Sequence, residues 1–213
     1  MGTKGRRHNR KLQKPKYISY AILGEGDTER YYVKVLREKL GRECKIRLIY
    51  LPELTTNLSL KEQYASLTEL LSEGEYDKIF WILDADRYIH DNKLVDLIEF
   101  IIKAEKKNIV VIVNNPCIEF WFLLHYQLTT RFERNCENIL SLLQKKYLPE
   151  YRKGNEKGLL KLYEYLSDAI VHAKHGFIGY TEAESFNQGF STMYSLFCDE
   201  KIRVCLALAT CND

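Results

Sequence analysis

The feature that most constrains this chain is a change of hydrophobic period that recurs along its first 113 residues. Tyr17 to Leu23 (YISYAIL) is a short aromatic and β-branched run that stops at Gly24-Glu25-Gly26, which predicts a strand ending in a tight turn. From Thr28 the period becomes helical: Tyr31, Tyr32, Val35, Leu36 and Leu40 share a face, with Thr28 or Asp27 as N-cap and Gly41 as stop. Lys45 to Leu51 reads as a second strand closed by Pro52, Leu60 to Leu71 as a helix, and Lys78 to Leu83 (KIFWIL) as a third strand. Asn92 to Lys106 then reads as a helix and Ile109 to Val113 as a fourth strand. Two of these strands have no polar face and must be covered on both sides. The predicted fold class is therefore α/β, with a four-stranded, mainly parallel sheet flanked by helices.

After Asn115-Pro116 the strand signals largely stop. Cys117 to Tyr126, Cys136 to Tyr147, Lys157 to His172 and the amphipathic Met193 to Ala209 read as helices, with a polar loop from Tyr151 to Gly158. The predicted organisation is a basic arm over residues 1–16, an α/β core over 17–126 and a helical extension over 127–213 packed on that core. At 213 residues and 46% hydrophobic the chain can bury a core unaided. Its longest apolar stretches, Ile109 to Val113 and Phe120 to Leu124, fall far short of the ~18 residues of a membrane span.

The net charge of +3 conceals an asymmetry. Residues 1–16 carry seven cations (Lys4, Arg6, Arg7, Arg10, Lys11, Lys14 and Lys16) and no acid; subtracting these seven leaves residues 17–213 at −4. The apolar run after the arm is too short and too polar for a signal peptide. The arm reads as a solvated tail or as a nonspecific contact to a phosphate backbone. Six cysteines (Cys44, Cys117, Cys136, Cys198, Cys205 and Cys211) have no zinc-ligand spacing, which predicts reduced, packed thiols in a cytoplasmic protein.

Two acidic clusters stand just beyond strand ends, where parallel α/β sheets place their sites. The first is Gly24-Glu25-Gly26-Asp27-Thr28-Glu29 and the second Asp84-Ala85-Asp86. In extended chain Asp84 and Asp86 would address one face, and Glu25 and Glu29 lie one helical turn apart. Converging carboxylates repel one another unless a cation sits among them. Oxygen-only donors favour Mg2+ or Mn2+. No GxxxxGK[ST] string occurs, and the third glycine of a dinucleotide fingerprint is replaced by Glu29.

Gly24-Glu25-Gly26-x-Thr28-Glu29, Leu83-Asp84-x-Asp86 and the string Asn115-Pro116-Cys117-x-Glu119-x-Trp121-x-Leu123-Leu124-His125-Tyr126 together resemble the RloB-like family of the Toprim superfamily, over roughly residues 17–200. The last string is the most specific of the three. Near the C-terminus the resemblance leads one to expect an Asn-Pro-Ser-Thr-like string, where this chain has Asn187-Gln188-Gly189-Phe190-Ser191-Thr192. What the resemblance implies is a Toprim-like, metal-dependent endonuclease with Glu25 in acid/base chemistry or metal binding and Glu29, Asp84 and Asp86 as further metal ligands. It also implies an AAA/ABC-type ATPase partner, a nucleic-acid substrate (DNA or RNA, tRNA included) and a role in bacterial anti-phage defence. A homo-oligomer is open.

Arg30 and Arg87 flank the acids and are candidate phosphate contacts, as is Lys78, or else solvated cations. Glu119 and Lys153 are candidate catalytic residues, and His125 a candidate substrate contact or a hydrogen-bonded core histidine. Two other readings stand beside the nuclease: a metal-binding partner subunit without catalysis, and a D-x-D phosphohydrolase. The latter pattern puts its acids on the first strand, where this chain has them on the third.

Overall fold

In the computed structural model, which describes residues 17–51, 58–131, 135–180 and 182–210, the alternating half builds one sheet. The strands β1 (Ile18–Leu23), β2 (Ile46–Tyr50), β3 (Lys78–Asp84) and β4 (Ile109–Asn115) run parallel in the order β2-β1-β3-β4. The sheet is larger than the four strands expected. A fifth strand, β5 (Phe190–Ser191), joins antiparallel to β4, pairing Ser191 with Asn114 and Phe190 with Asn115. At two residues β5 has no period to read, and it falls within the stretch that departs from the expected C-terminal string.

Alternation along the strands divides the core into two. Tyr20, Ile22, Phe80, Ile82 and Ile112 face one layer, which holds α1 (Asp27–Leu40), α5 (Ile118–Leu124), α6 (Cys136–Lys146) and the later helices. Ala21, Leu23, Ile79, Trp81, Leu83 and Val113 face the other, made by α2 (Leu60–Ser72), α3 (Ala85–His90) and α4 (Leu94–Glu105). Helices on both faces explain why β3 and β4 are nearly continuous apolar runs. This parity also decides where Asp84 goes: it follows Phe80 and Ile82, so it belongs to the face of α1 and α5.

Local details depart from expectation at helix starts. The N-cap of α1 is Gly26, not Thr28 or Asp27, because the turn after β1 is shorter than the sequence suggests. Asp84 and Asp86 do not alternate along an extended chain. Asp84 ends β3 and stands at the N-cap position of α3 with no side-chain cap bond, and the first turn of that helix contains Asp86. In the second half, the helix expected from Lys157 to His172 is divided into α7 (Leu159–Leu162), a 3-10 turn over Tyr163–Tyr165 and α8 (Leu166–Gly176). The turn lays Tyr163 against Tyr32, ring centroids 5.9 Å apart. The tail forms two short helices, α9 (Tyr194–Phe197) and α10 (Glu200–Cys205).

The scattered cysteines meet in space. Cys44 pairs with Cys205 and Cys117 with Cys136 in disulfides whose Cα atoms are 5.7 and 6.2 Å apart, and no described cysteine is free, which corrects the expectation of reduced thiols. Sequence separations of 161 and 19 residues gave no sign of it. Among the described residues, no helix is long and apolar enough to cross a membrane. The basic arm of residues 1–16 and the stop at Pro52 lie outside the described residues.

Candidate functional site

Parallel pairing of β1 with β3 puts the Gly24-Glu25-Gly26 turn beside the end of β3. The turn is tight for a steric reason. A Cβ on Gly24 would stand 2.8 Å from Glu29 Cβ and 3.0 Å from the Tyr50 hydroxyl, so a hydrogen at this position lets α1 begin directly over the strand end. Glu29 is thereby held 5% exposed, in the first turn of α1. Glu119 occupies the matching place in the first turn of α5 and is 1% exposed.

Five carboxylates from separate segments act on one another here. Burial raises the Asp84 carboxyl well above the usual range, and the charges of Glu29, Glu119, Asp86 and Glu25 raise it further. Glu29 is pushed up to about 7, first by burial and then by Glu119 and Glu25. Glu25 is raised by burial, against a lowering hydrogen bond from Tyr88 and the nearby Arg87. These are the neighbours that the two sequence clusters and the Glu119 string predict. Among the described residues, however, no three His, Cys, Asp or Glu side chains are assembled as an ion's ligand set. The acids are gathered, without forming a closed cage.

Four of these acids, Glu25, Asp84, Asp86 and Glu119, have side-chain partners, and Tyr88, Asn114 and Tyr151 among them were not singled out from the sequence. The Tyr88 hydroxyl donates to Glu25 Oε1 at 3.0 Å, and Arg87 Nη1 lies 3.9 Å from Glu25 Oε2. Asn114, the register partner of Asp84, donates from Nδ2 to Asp84 Oδ1 at 3.3 Å. Its amide is oriented by the Ser191 hydroxyl of β5, which donates to Asn114 Oδ1 at 2.7 Å and accepts from the Met193 amide at 3.1 Å. Asp86 accepts from the Arg87 amide at 2.7 Å, and its Oδ2 lies 3.3 Å from Cys136 Sγ. The Tyr151 hydroxyl donates to Glu119 Oε1 at 3.0 Å, while Glu119 Oε2 is buried with no hydrogen-bond partner. Long-range contacts between single tyrosines and acids leave no periodic trace in the sequence.

The polar loop reaches the site across α1. Gly154 adopts a left-handed backbone, φ 65°, and its amide donates to Thr28 Oγ1 at 3.2 Å. Lys34 of α1 pairs with Glu156 at 2.5 Å. Lys153 is thus carried to 3.7 Å from Glu119 Oε1. Arg30 pairs with Asp27 at 2.9 Å and lies over the Tyr31 ring, on the exposed side of the same helix start.

Two candidates are placed elsewhere. His125 is 1% exposed, with Nδ1 2.9 Å from the Trp121 carbonyl and its ring edge-on to Trp121; burial drives it down to about 3. A neutral, enclosed imidazole offers no surface to a substrate, so this side chain belongs to the core. Lys78 begins β3, about 20 Å from Asp84 at strand rise, where it pairs with Asp199 at 2.5 Å.

The donors suit a hard cation: every one is oxygen, one carboxylate oxygen of Glu119 is buried without a partner among the described residues, and Glu25, Glu29 and Asp84 are raised first by burial. Compared with known proteins, the chain matches no curated protein and no solved structure. The family profile described as RloB-like protein matches residues 20–199, and the chain with its buried acidic cluster belongs to that RloB-like family.

Proposed function

We propose that this chain is a Toprim-like endonuclease that hydrolyses phosphodiester bonds of DNA or RNA with Mg2+ or Mn2+. The observation that carries the proposal is the gathering of Glu25, Glu29, Asp84, Asp86 and Glu119 at the strand ends, with Glu119 Oε2 buried and unpartnered. Glu25, Glu29, Asp84 and Asp86 would hold the metal, which when bound polarises a phosphoryl oxygen and makes water a better nucleophile. Glu25 presents Oε2 beyond the Tyr88 hydrogen bond on Oε1, and burial, by raising its pKa, favours it as a group that accepts and returns a proton. Arg87 and Lys153 stand beside Glu25 and Glu119 as cations for the substrate phosphate. Burial of Glu29 and Glu119 keeps bulk water from screening these charges.

Membership of the RloB-like family supports a place beside an AAA/ABC-type ATPase as an effector of anti-phage defence. A second reading is a partner subunit that binds metal through the same acids without cutting. One experiment separates the two. The purified chain, with and without its ATPase, is incubated with tRNA, single-stranded DNA and duplex DNA in Mg2+ or Mn2+. Cleavage that falls about a hundredfold or more in Glu25→Gln and Asp84→Asn supports the nuclease. Undiminished cleavage by folded variants contradicts it, and metal binding without cleavage of any substrate favours the subunit.

A further inference from the structure

Beyond the acids, a groove of about 740 Å³ lies between α1 and the outer edge of β2. Its foot is Tyr17, at the start of β1, and its head is Tyr50, at the end of β2. The parallel register that pairs Ile18 with Ile46 and Ile22 with Tyr50 makes the groove run along the strands toward their carboxyl ends. At the head, the Tyr50 hydroxyl donates to the Gly26 carbonyl at 2.8 Å, inside the turn that carries Glu25. The groove therefore opens next to the acidic cluster.

Its charge is opposite to that of the body around it. Arg37, Arg42 and Arg47 line it, all exposed, against one acid, Glu38, although residues 17–213 carry a net −4. Neighbouring cations form ion pairs, as Arg30 does with Asp27 and Lys34 with Glu156, whereas these three arginines form none among the described residues. Arg30 and Arg37 are seven residues apart on α1, two turns and roughly 10 Å along one face, so exposed guanidiniums continue from the groove to the site. Aromatic surface is interleaved with them: Tyr17 is 42% exposed, and Arg47 lies over its ring at 5.8 Å.

Three exposed guanidiniums beside the exposed Tyr17 ring match an unpaired strand, whose phosphates take the cations and whose bases are free to stack. A duplex hides its base faces and cannot use the rings. We propose that this groove binds single-stranded nucleic acid and leads it along β2 to the acids. The role as an approach path rests on the nuclease reading; the binding does not.

The test uses the full chain in EDTA, with fluorescein-labelled 12-nucleotide single-stranded RNA and DNA and a 12-base-pair duplex, read by anisotropy over a salt series. The single strands should bind about tenfold or more tighter than the duplex. Combining Arg37→Glu, Arg42→Glu and Arg47→Glu should weaken single-strand binding about tenfold or more and lower the salt slope by about 2, the value for three lost phosphate contacts. Tyr17→Ala should weaken it about fivefold or more. Thermal melts check that the charge variants are folded. Equal affinity for duplex and single strand overturns the proposal, as does unchanged binding by the folded triple variant. Light scattering that shows the triple variant losing self-association, with nucleic-acid affinity intact, overturns it in favour of a second copy on the edge of β2. Should the unaltered chain bind as expected yet cut nothing in Mg2+, the groove stands and the nuclease reading alone falls.

Discussion

At the residue scale, burial raises the carboxyls of Glu25, Glu29 and Asp84, and pH should expose that strain. Glu29 has a folded pKa of about 7 against an ordinary 4.5, while Glu25 and Asp84 are raised as well. A carboxyl whose folded pKa lies above its unfolded one prefers the folded chain while protonated; its contribution is complete below the unfolded pKa and is lost as pH rises through the folded one. Metal-free protein should therefore melt at a lower temperature at about pH 8 than at about pH 5. Glu29→Gln should flatten that slope, and Mg2+ should raise the melting temperature more at the higher pH. A melting temperature that climbs with pH in metal-free buffer would show that these acids are not strained by burial and one another. Gly24 admits a second check. In Gly24→Ala the added methyl must displace Glu29 or Tyr50, which should cost about 1–3 kcal/mol of stability and reduce metal affinity by calorimetry, since α1 can no longer start over the strand end.

At the scale of elements, the site depends on pieces far apart in sequence that fix side chains on the sheet. The Ser191 hydroxyl sets the Asn114 amide, which donates to Asp84, so the two-residue strand β5 does more than extend the sheet. Ser191→Ala should cost about 1 kcal/mol in chemical denaturation and lower activity more than stability, because the freed amide can turn its oxygen toward Asp84. Likewise Tyr151 anchors the polar loop to Glu119. Tyr151→Phe should cost about 1–3 kcal/mol and shift Lys153, giving a raised KM where that lysine meets phosphate. The sheet and the acidic clusters were legible because burial on two faces forces continuous apolar runs, and because Glu25, Glu29, Asp84 and Asp86 follow their ends within a few residues. Glu119 was legible only through the Asn115-Pro116 string. What was not legible is what has no local period: a two-residue antiparallel strand, tyrosine hydroxyls meeting acids across 32 and 63 residues, and cysteines meeting across 161. The helix start at Ala85 was missed for a different reason, since a strand-end aspartate serves an extended run and a cap equally well.

Over the whole molecule, charge is sorted by role, and the sorting predicts how the parts separate. Acids are concentrated where β1 and β3 end, three arginines line the edge of β2, and the seven cations of residues 1–16 join the chain immediately before Tyr17 at the foot of that edge. Among the described residues, the hydrogen-bond partners of the acidic cluster, Tyr88, Asn114, Tyr151 and the Arg87 amide, all belong to the body. A chain lacking residues 1–16 should consequently bind Mg2+ by calorimetry as the full chain does. Its body carries a net −4, so its affinity for nucleic acid should fall, most at low salt where unscreened phosphate contacts count most. The two measurements have to diverge. Loss of Mg2+ binding on the deletion would mean that the arm helps to build the site, and unchanged affinity across a salt series would reduce it to a solvated tail.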